Sequence, residues 1–131
     1  MKKTLYVLLI FLISYTSCSQ NKDSITGVWN VKNDYYQAIY EIVESKGKFF
    51  GKIHYYNDGK SEYESNNKKE DYFLTDLEKK DEKYINGKMY MPDGSFYKVI
   101  FTFKNKDTME ALITVEGNPY KEVWKRNTKY K

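Results

Sequence analysis

From Ile25 onward, apolar residues recur mainly at every second position, and turn-forming residues interrupt this alternation at intervals of roughly ten residues. Helical spacing is not sustained anywhere in this region of the sequence. A period of two is typical of a β-strand with one buried face, because successive side chains of a strand point to opposite sides. The pattern therefore predicts eight short antiparallel strands joined mostly by short turns.

The alternation also predicts which side chains face the core. The predicted inner faces comprise Ile25, Gly27, Trp29 and Val31; Ala38, Tyr40 and Ile42; Phe49, Gly51, Ile53 and Tyr55; Ile85, Gly87, Met89 and Met91; Tyr97, Val99, Phe101 and Phe103; and Met109, Ala111, Ile113 and Val115. His54 is predicted to face outward with Lys48 and Lys52. A fourth strand is predicted over 72–77 and a final one over 120–126. The polar, asparagine-rich stretch 57–71 predicts a loop or an irregular crossing.

A meander of eight strands either closes into a barrel or folds into a sandwich, and closure removes both exposed sheet edges. The sequence therefore predicts an all-β fold, a small antiparallel eight-stranded barrel over 25–131. The interior of such a barrel is wide enough either to be filled by side chains or to hold one small ligand. Both outcomes stay open from the sequence. The candidates to line a ligand are Tyr40, Phe49, Ile53, Met89 and Phe101.

The N-terminus has the order of a secretory signal: Lys2 and Lys3, an apolar run over 5–13, and small residues before Cys18. As a helix, 5–17 would reach only about 20 Å, short of the roughly 30 Å hydrocarbon core of a bilayer. Cys18 and the residues before it resemble the lipobox of bacterial lipoproteins, where cleavage before the cysteine precedes its acylation. The resemblance implies a lipoprotein signal peptide over 1–17 and lipid attachment at Cys18.

A flexible tether is predicted over 18–24, because this stretch is polar and has no periodicity. In proteins that resemble bacterial lipoproteins, a serine such as Ser19 directly after the cysteine favours the outer membrane. The protein could then lie on either the periplasmic or the surface face of that membrane. The expected location is therefore the cell envelope, with the acylated cysteine in the membrane. Ordinary secretion with a free thiol is the alternative.

Two motifs resemble the ends of a lipocalin or calycin barrel: Gly27-Val28-Trp29 in the first strand and Trp124-Lys125-Arg126 in the last. More closely, the runs ITGVWNV, YEIVESKGKFFGKI, GKMYMPDGSFYKVIFTF and VWKR resemble the small secreted bacterial proteins of domain of unknown function 2147. The resemblance implies a barrel that is closed where Trp29 packs under Arg126. It implies no substrate. Independently of any family, an arginine over an indole face would join the first strand to the last.

The composition excludes most chemistries. A single cysteine and a single histidine cannot build a multi-thiolate metal site and leave few groups for acid–base catalysis. The sequence predicts no metal, no cofactor and no enzymatic activity. Without Lys2 and Lys3, 20 of the 22 basic residues remain against 18 acidic ones, so a net charge of +2 gives no strong affinity for nucleic acid.

The main functional hypothesis is a lipid-anchored, non-enzymatic and monomeric envelope protein that binds a small apolar or amphipathic molecule. The alternative is a protein-interaction module, such as an inhibitor, an immunity-type factor or an assembly accessory, that binds an envelope protein. It would use the acidic 57–71 stretch and tyrosines expected at the barrel rim, which are Tyr35, Tyr36, Tyr55, Tyr56 and Tyr63. Glycan binding through exposed aromatic side chains is a third option.

Overall fold

A computed structural model describes residues 24–64 and 72–129. These residues form nine β-strands and no helix: β1 (Gly27–Lys32), β2 (Gln37–Ser45), β3 (Lys48–Asn57), β4 (Glu62–Glu64), β5 (Leu74–Lys80), β6 (Lys83–Tyr90), β7 (Phe96–Asn105), β8 (Thr108–Val115) and β9 (Asn118–Arg126). Within the same residues, no helix has the length and apolar character needed to cross a bilayer.

Eight of the strands form a closed ring. All pairings are antiparallel, and the ring runs β1–β9–β8–β7–β6–β5–β3–β2, where β2 pairs with both β3 and β1. The short β4 pairs with β3 at Tyr55–Asn57, beyond the part of β3 that pairs with β5. The predicted all-β, eight-stranded antiparallel barrel is therefore confirmed. The prediction that 57–71 is a loop is wrong at β4, where Asp58 accepts backbone hydrogen bonds from Lys60 and Ser61 and turns the chain into this extra strand.

The two ends of the barrel differ. The start of β1 and the end of β9 meet at one end, together with the β2–β3, β5–β6 and β7–β8 turns; we call it the Trp29 end. The β1–β2, β6–β7 and β8–β9 turns, the end of β3 and the start of β5 lie at the other end. We call this the Glu122 end, after the inward-facing acid of β9. The fully buried side chains between the ends include Trp29, Phe101 and Trp124.

A bulge in β3 reverses the predicted alternation at the Glu122 end. The pairing passes from Tyr40 opposite Ile53 to Ile39 opposite Tyr55, so β3 has one extra residue, His54, at this point. As a result Tyr56, opposite Ala38, packs against the core. The prediction that Tyr55 faces inward is wrong, since its hydroxyl instead donates a hydrogen bond to Glu62 (3.1 Å) among exposed groups.

A second bulge changes β6 in the same way. Tyr84 lies opposite Phe101, and the next paired residue, Gly87, lies opposite Val99, which leaves one extra residue on β6. Asn86 takes up the irregularity with a φ of 65°. Tyr84 is therefore buried, and the prediction that Ile85 belongs to the inner face is wrong. The other predicted inner faces agree with the buried positions of β1, β2, β7 and β8.

Candidate binding site

The Trp29 end is sealed by packing and by hydrogen bonds. Trp29 is fully buried, and its Nε1 donates to the carbonyl of Ile25 (2.9 Å). The Arg126 guanidinium carbon lies 4.4 Å from the centroid of the Trp29 ring, a cation–π contact. Arg126 also donates to the carbonyls of Thr26 (3.0 Å) and Ser24 (2.9 Å). These donors are engaged by the backbone just before β1, so this end holds the barrel closed rather than admitting a ligand.

Aromatic rings fill the middle of the barrel. The ring centroids of Phe101 and Tyr40 each lie 4.8 Å from that of Trp124, and Phe101 is completely buried. Phe49 contacts Tyr84, with centroids 5.1 Å apart, closer to the Trp29 end. Four of the five predicted lining residues belong to the buried core, namely Tyr40, Phe49, Met89 and Phe101. The fifth, Ile53, is partly exposed at the margin of the core. Their role as ligand-lining residues stays a prediction.

The Glu122 end contains a carboxylate inside the barrel. Glu122 precedes Trp124 by two positions on β9, so both side chains point inward, and only 5% of Glu122 is exposed. The Tyr36 hydroxyl lies 2.7 Å from both carboxylate oxygens and donates to them, and Trp124 Nε1 donates to Oε1 (3.0 Å). A buried acid is costly unless it is hydrogen-bonded. The two neutral donors provide that compensation.

Tyrosines surround this carboxylate. Burial, followed by the neighbouring Tyr40 hydroxyl and Glu122, raises the pKa of Tyr36 far above its ordinary value. Burial is also the main reason that the pKa of Tyr40 is raised. Tyr56 stacks on Tyr36 with ring centroids 5.2 Å apart, and burial raises its pKa as well. The phenols therefore remain neutral and present aromatic faces and hydroxyl groups beside the acid.

The β1–β2 turn positions Tyr36 over the barrel. Asn33 Oδ1 accepts hydrogen bonds from the backbone N–H groups of Tyr35 (2.8 Å) and Tyr36 (3.1 Å), an Asx turn that fixes the chain before β2. These two bonds also distinguish the oxygen from the nitrogen of the Asn33 side-chain amide. The Nδ2 atom of Asn33 is buried and has no hydrogen-bond partner among the residues that the structure describes. The turn thus leaves one donor unused next to Tyr36.

Partly exposed apolar side chains border the core at the Glu122 end. They pack against the buried cluster but keep contact with solvent, and they lie at strand ends or in the connections there: Tyr36, Tyr56, Phe73, Met91, Tyr97 and Val115. At the opposite end the comparable positions include the fully buried Ile25 and Trp29. The barrel therefore has a sealed end and an end where partly exposed apolar side chains surround a buried acid.

Other predicted groups take no part in this arrangement. Cys18 and the predicted signal peptide lie outside the described residues. His54 faces outward, where its Nε2 lies 2.8 Å from Glu41 Oε1. No cluster of three or more His, Cys, Asp or Glu side chains suited to a metal ion occurs within 24–64 and 72–129.

The closed antiparallel barrel, with its tryptophan and arginine joining the first and last strands, defines a lipocalin-like fold. Among solved structures, the chain is similar to protein HP1028 from the human pathogen Helicobacter pylori, described as belonging to the lipocalin family. The TM-score is 0.66 at 22% sequence identity, over 82% of this chain and 86% of that chain. A scan against protein-family models and a search of curated proteins found no match. The likeness shows the fold.

Proposed function

We propose that this chain is a lipid-anchored, non-enzymatic envelope protein that binds a small amphipathic molecule at the Glu122 end of its barrel. A lipocalin-like barrel is typical of small-molecule binding proteins. The observation that carries the proposal is the difference between the two ends: apolar side chains are partly exposed around a buried polar cluster at one end, and the other is sealed by Trp29 and Arg126. A few polar groups within a mostly apolar border are the usual composition of a ligand site.

The aromatic layer limits how deep a ligand enters. Phe101, Trp124 and Tyr40 are packed ring against ring and nearly or fully buried. A ligand that occupied their space would have to displace them, at the cost of their packing. The ligand therefore binds above this layer, with its apolar part against the half-buried border and its polar part at Glu122.

A neutral apolar probe tests the site. N-phenyl-1-naphthylamine is expected to bind the purified protein with one-to-one stoichiometry and an increase in its fluorescence. Met91→Lys places a charge in the apolar border, so probe affinity is expected to fall at least about fivefold, since apolar contact is lost where a charge must remain solvated. Titration of probe fluorescence measures the change.

Ile85→Lys is the matched control. It introduces the same side chain on β6, the strand that ends just before Met91, at a half-buried position that is not among those packed against the core. Probe affinity should then stay within twofold of the wild type. An equal loss in both variants, or no probe binding by the wild type, contradicts a ligand site at the Glu122 end.

The anchor is tested separately at Cys18. Metabolic labelling of producing cells with a palmitate analogue is expected to label the wild type and to leave Cys18→Ala unlabelled, because the cysteine is the proposed site of acylation. Two or more acyl chains give stable membrane attachment, since each buried methylene contributes about 0.8 kcal/mol. Equal labelling of the two proteins, or an unlabelled wild type in the membrane fraction, would contradict the anchor.

The outer-membrane location and membership of the domain of unknown function 2147 remain proposals based on sequence resemblance. The protein-interaction alternative also stays a prediction. Tyr35 and Tyr63 of its predicted rim tyrosines are well exposed, at 72% and 51%.

A further inference from the structure

The carboxylate of Glu122 lies inside the barrel without a cation beside it. Its hydrogen-bond donors, the Tyr36 hydroxyl and Trp124 Nε1, are both neutral. Among the residues described by the structure, no Lys, Arg or His side chain lies within ion-pair distance of Glu122. Hydrogen bonds from neutral groups spread the negative charge but do not cancel it.

The nearest cation along β9 points the other way. Lys121 precedes Glu122, and alternation places it on the outer face, where its Nζ lies 4.0 Å from Glu110. Lys104 also binds Glu110, at 3.6 Å, so the lysines of this wall are engaged outside the barrel. Neither of these two lysines therefore offsets the charge of Glu122.

The groups around Glu122 are those that attract an organic cation. Aromatic faces attract cations because of the negative potential above the ring, and clusters of aromatic side chains recognise ammonium groups in this way. Tyr36 and Tyr56 stack on each other where Tyr36 binds Glu122, above the packed rings of Tyr40 and Trp124. A nearby carboxylate adds direct charge attraction, which is strengthened by partial exclusion of water.

We propose that the Glu122 end selects amphipathic ligands with a cationic ammonium head group. The ammonium lies beside Glu122 and the tyrosine rings, and the apolar part of the ligand lies along the half-buried border. This inference rests on the proposed binding function and specifies its ligand class. A ligand with a carboxylate or phosphate head would meet Glu122 with like charge, so anionic lipids are disfavoured. A neutral ligand keeps the apolar contacts and can donate at most a hydrogen bond to the acid, without charge attraction.

Three probes with the same decyl chain separate these cases: decyltrimethylammonium, decanol and decanoate. Calorimetric titration of the full-length purified protein, below the micellar concentration of each compound, is expected to give an affinity for the ammonium at least about tenfold higher than for the alcohol. Decanoate is expected to bind most weakly. Because the chain is identical, the ratio between probes reports only on the head group.

Glu122→Gln isolates the role of the charge. Glutamine keeps an acceptor oxygen for Tyr36 and Trp124 but carries no charge, so the preference for decyltrimethylammonium over decanol is expected to fall to less than twofold. The ratio of the two affinities, and not the affinity for decanol alone, reports the loss of the charge. Tyr56→Leu, which keeps an apolar side chain without the aromatic face, is a second variant. It is expected to weaken binding of the ammonium about threefold more than it weakens binding of decanol.

The possible outcomes distinguish the two proposals. Equal affinities of the wild type for the three probes would overturn the cationic preference while leaving the binding site in place. A preference for decanoate would overturn it as well. If no decyl compound binds and N-phenyl-1-naphthylamine does not bind either, the proposed function itself fails. A preference for the ammonium that persists in Glu122→Gln would assign it to another part of the surface and overturn this site.

Discussion

Replacing Trp29 with alanine is expected to lower the free energy of unfolding by about 3 to 5 kcal/mol. The indole is fully buried at the sealed end and lies 5.9 Å from the ring of Phe103, so its removal leaves a large cavity. The variant also loses the bond from Nε1 to Ile25 and the ring beneath the Arg126 guanidinium. For a barrel of this size, the melting temperature should fall by at least about 12 °C.

Phe96→Ala is the control for this variant. It also truncates an aromatic side chain, but Phe96 is 42% exposed and contacts mainly Tyr90 and Lys88 on the outside of β6. The expected loss is no more than about 1 kcal/mol, the range of a cross-strand surface pair. Chemical denaturation followed by circular dichroism measures both variants. If Trp29→Ala unfolds at the same denaturant concentration as Phe96→Ala, the sealed end does not hold the barrel together.

The fold was predictable because the alternation of side chains is a global property of the sheet. Trp29 and Val31 are two positions apart and buried, as are Met109 and Ala111. In a regular strand, residues two apart share one face, so such a run can only place these side chains together in the core. The errors are local and have one cause. Each of the bulges at His54 and near Asn86 inserts one residue, which exchanges Tyr55 for Tyr56 and Ile85 for Tyr84 at the core. Both members of each pair are apolar enough to be buried, so the sequence carries no sign of the shift.

The candidate site was less predictable than the fold. Tyr36 and Tyr56 belong to the set expected at the rim and Tyr40 to the predicted ligand-lining residues, but Glu122 was not predicted, because an acid in a strand is normally assigned to the solvent face. A signal existed: Glu122 lies two positions before Trp124, a large apolar residue of the closing motif, and so shares its face of the strand. The sequence could not show the hydrogen bond from Tyr36 that offsets the cost of burying Glu122. Tyr36 is 86 residues away along the chain and contacts Glu122 only when the barrel closes.

Alkaline pH is expected to destabilise the protein through the tyrosines beside Glu122. Both Tyr36 and Tyr40 have a raised pKa in the folded state, mainly because ionisation would bury a phenolate. In the unfolded chain they ionise near pH 10. Below that pH both states hold the protons, and the stabilisation is fully present. Above it, the unfolded state loses protons that the folded state keeps, so the free energy of unfolding falls by about 1.4 kcal/mol per pH unit for each of these tyrosines.

Tyr36→Phe removes one of these titrating groups and should therefore reduce the pH dependence above pH 10 by about 1.4 kcal/mol per unit relative to the wild type. At pH 7 the same variant should lose about 1 to 3 kcal/mol, because Glu122 loses its phenolic donor. Met91→Ala is the control: it weakens packing at the same end but removes no titrating group, so its slope should match that of the wild type. Denaturant unfolding between pH 8 and about pH 12, followed by circular dichroism, measures the slopes. Parallel slopes for the wild type and Tyr36→Phe would mean that the Tyr36 hydroxyl ionises as readily in the barrel as in water, and the buried tyrosine–carboxylate cluster would then have to be abandoned.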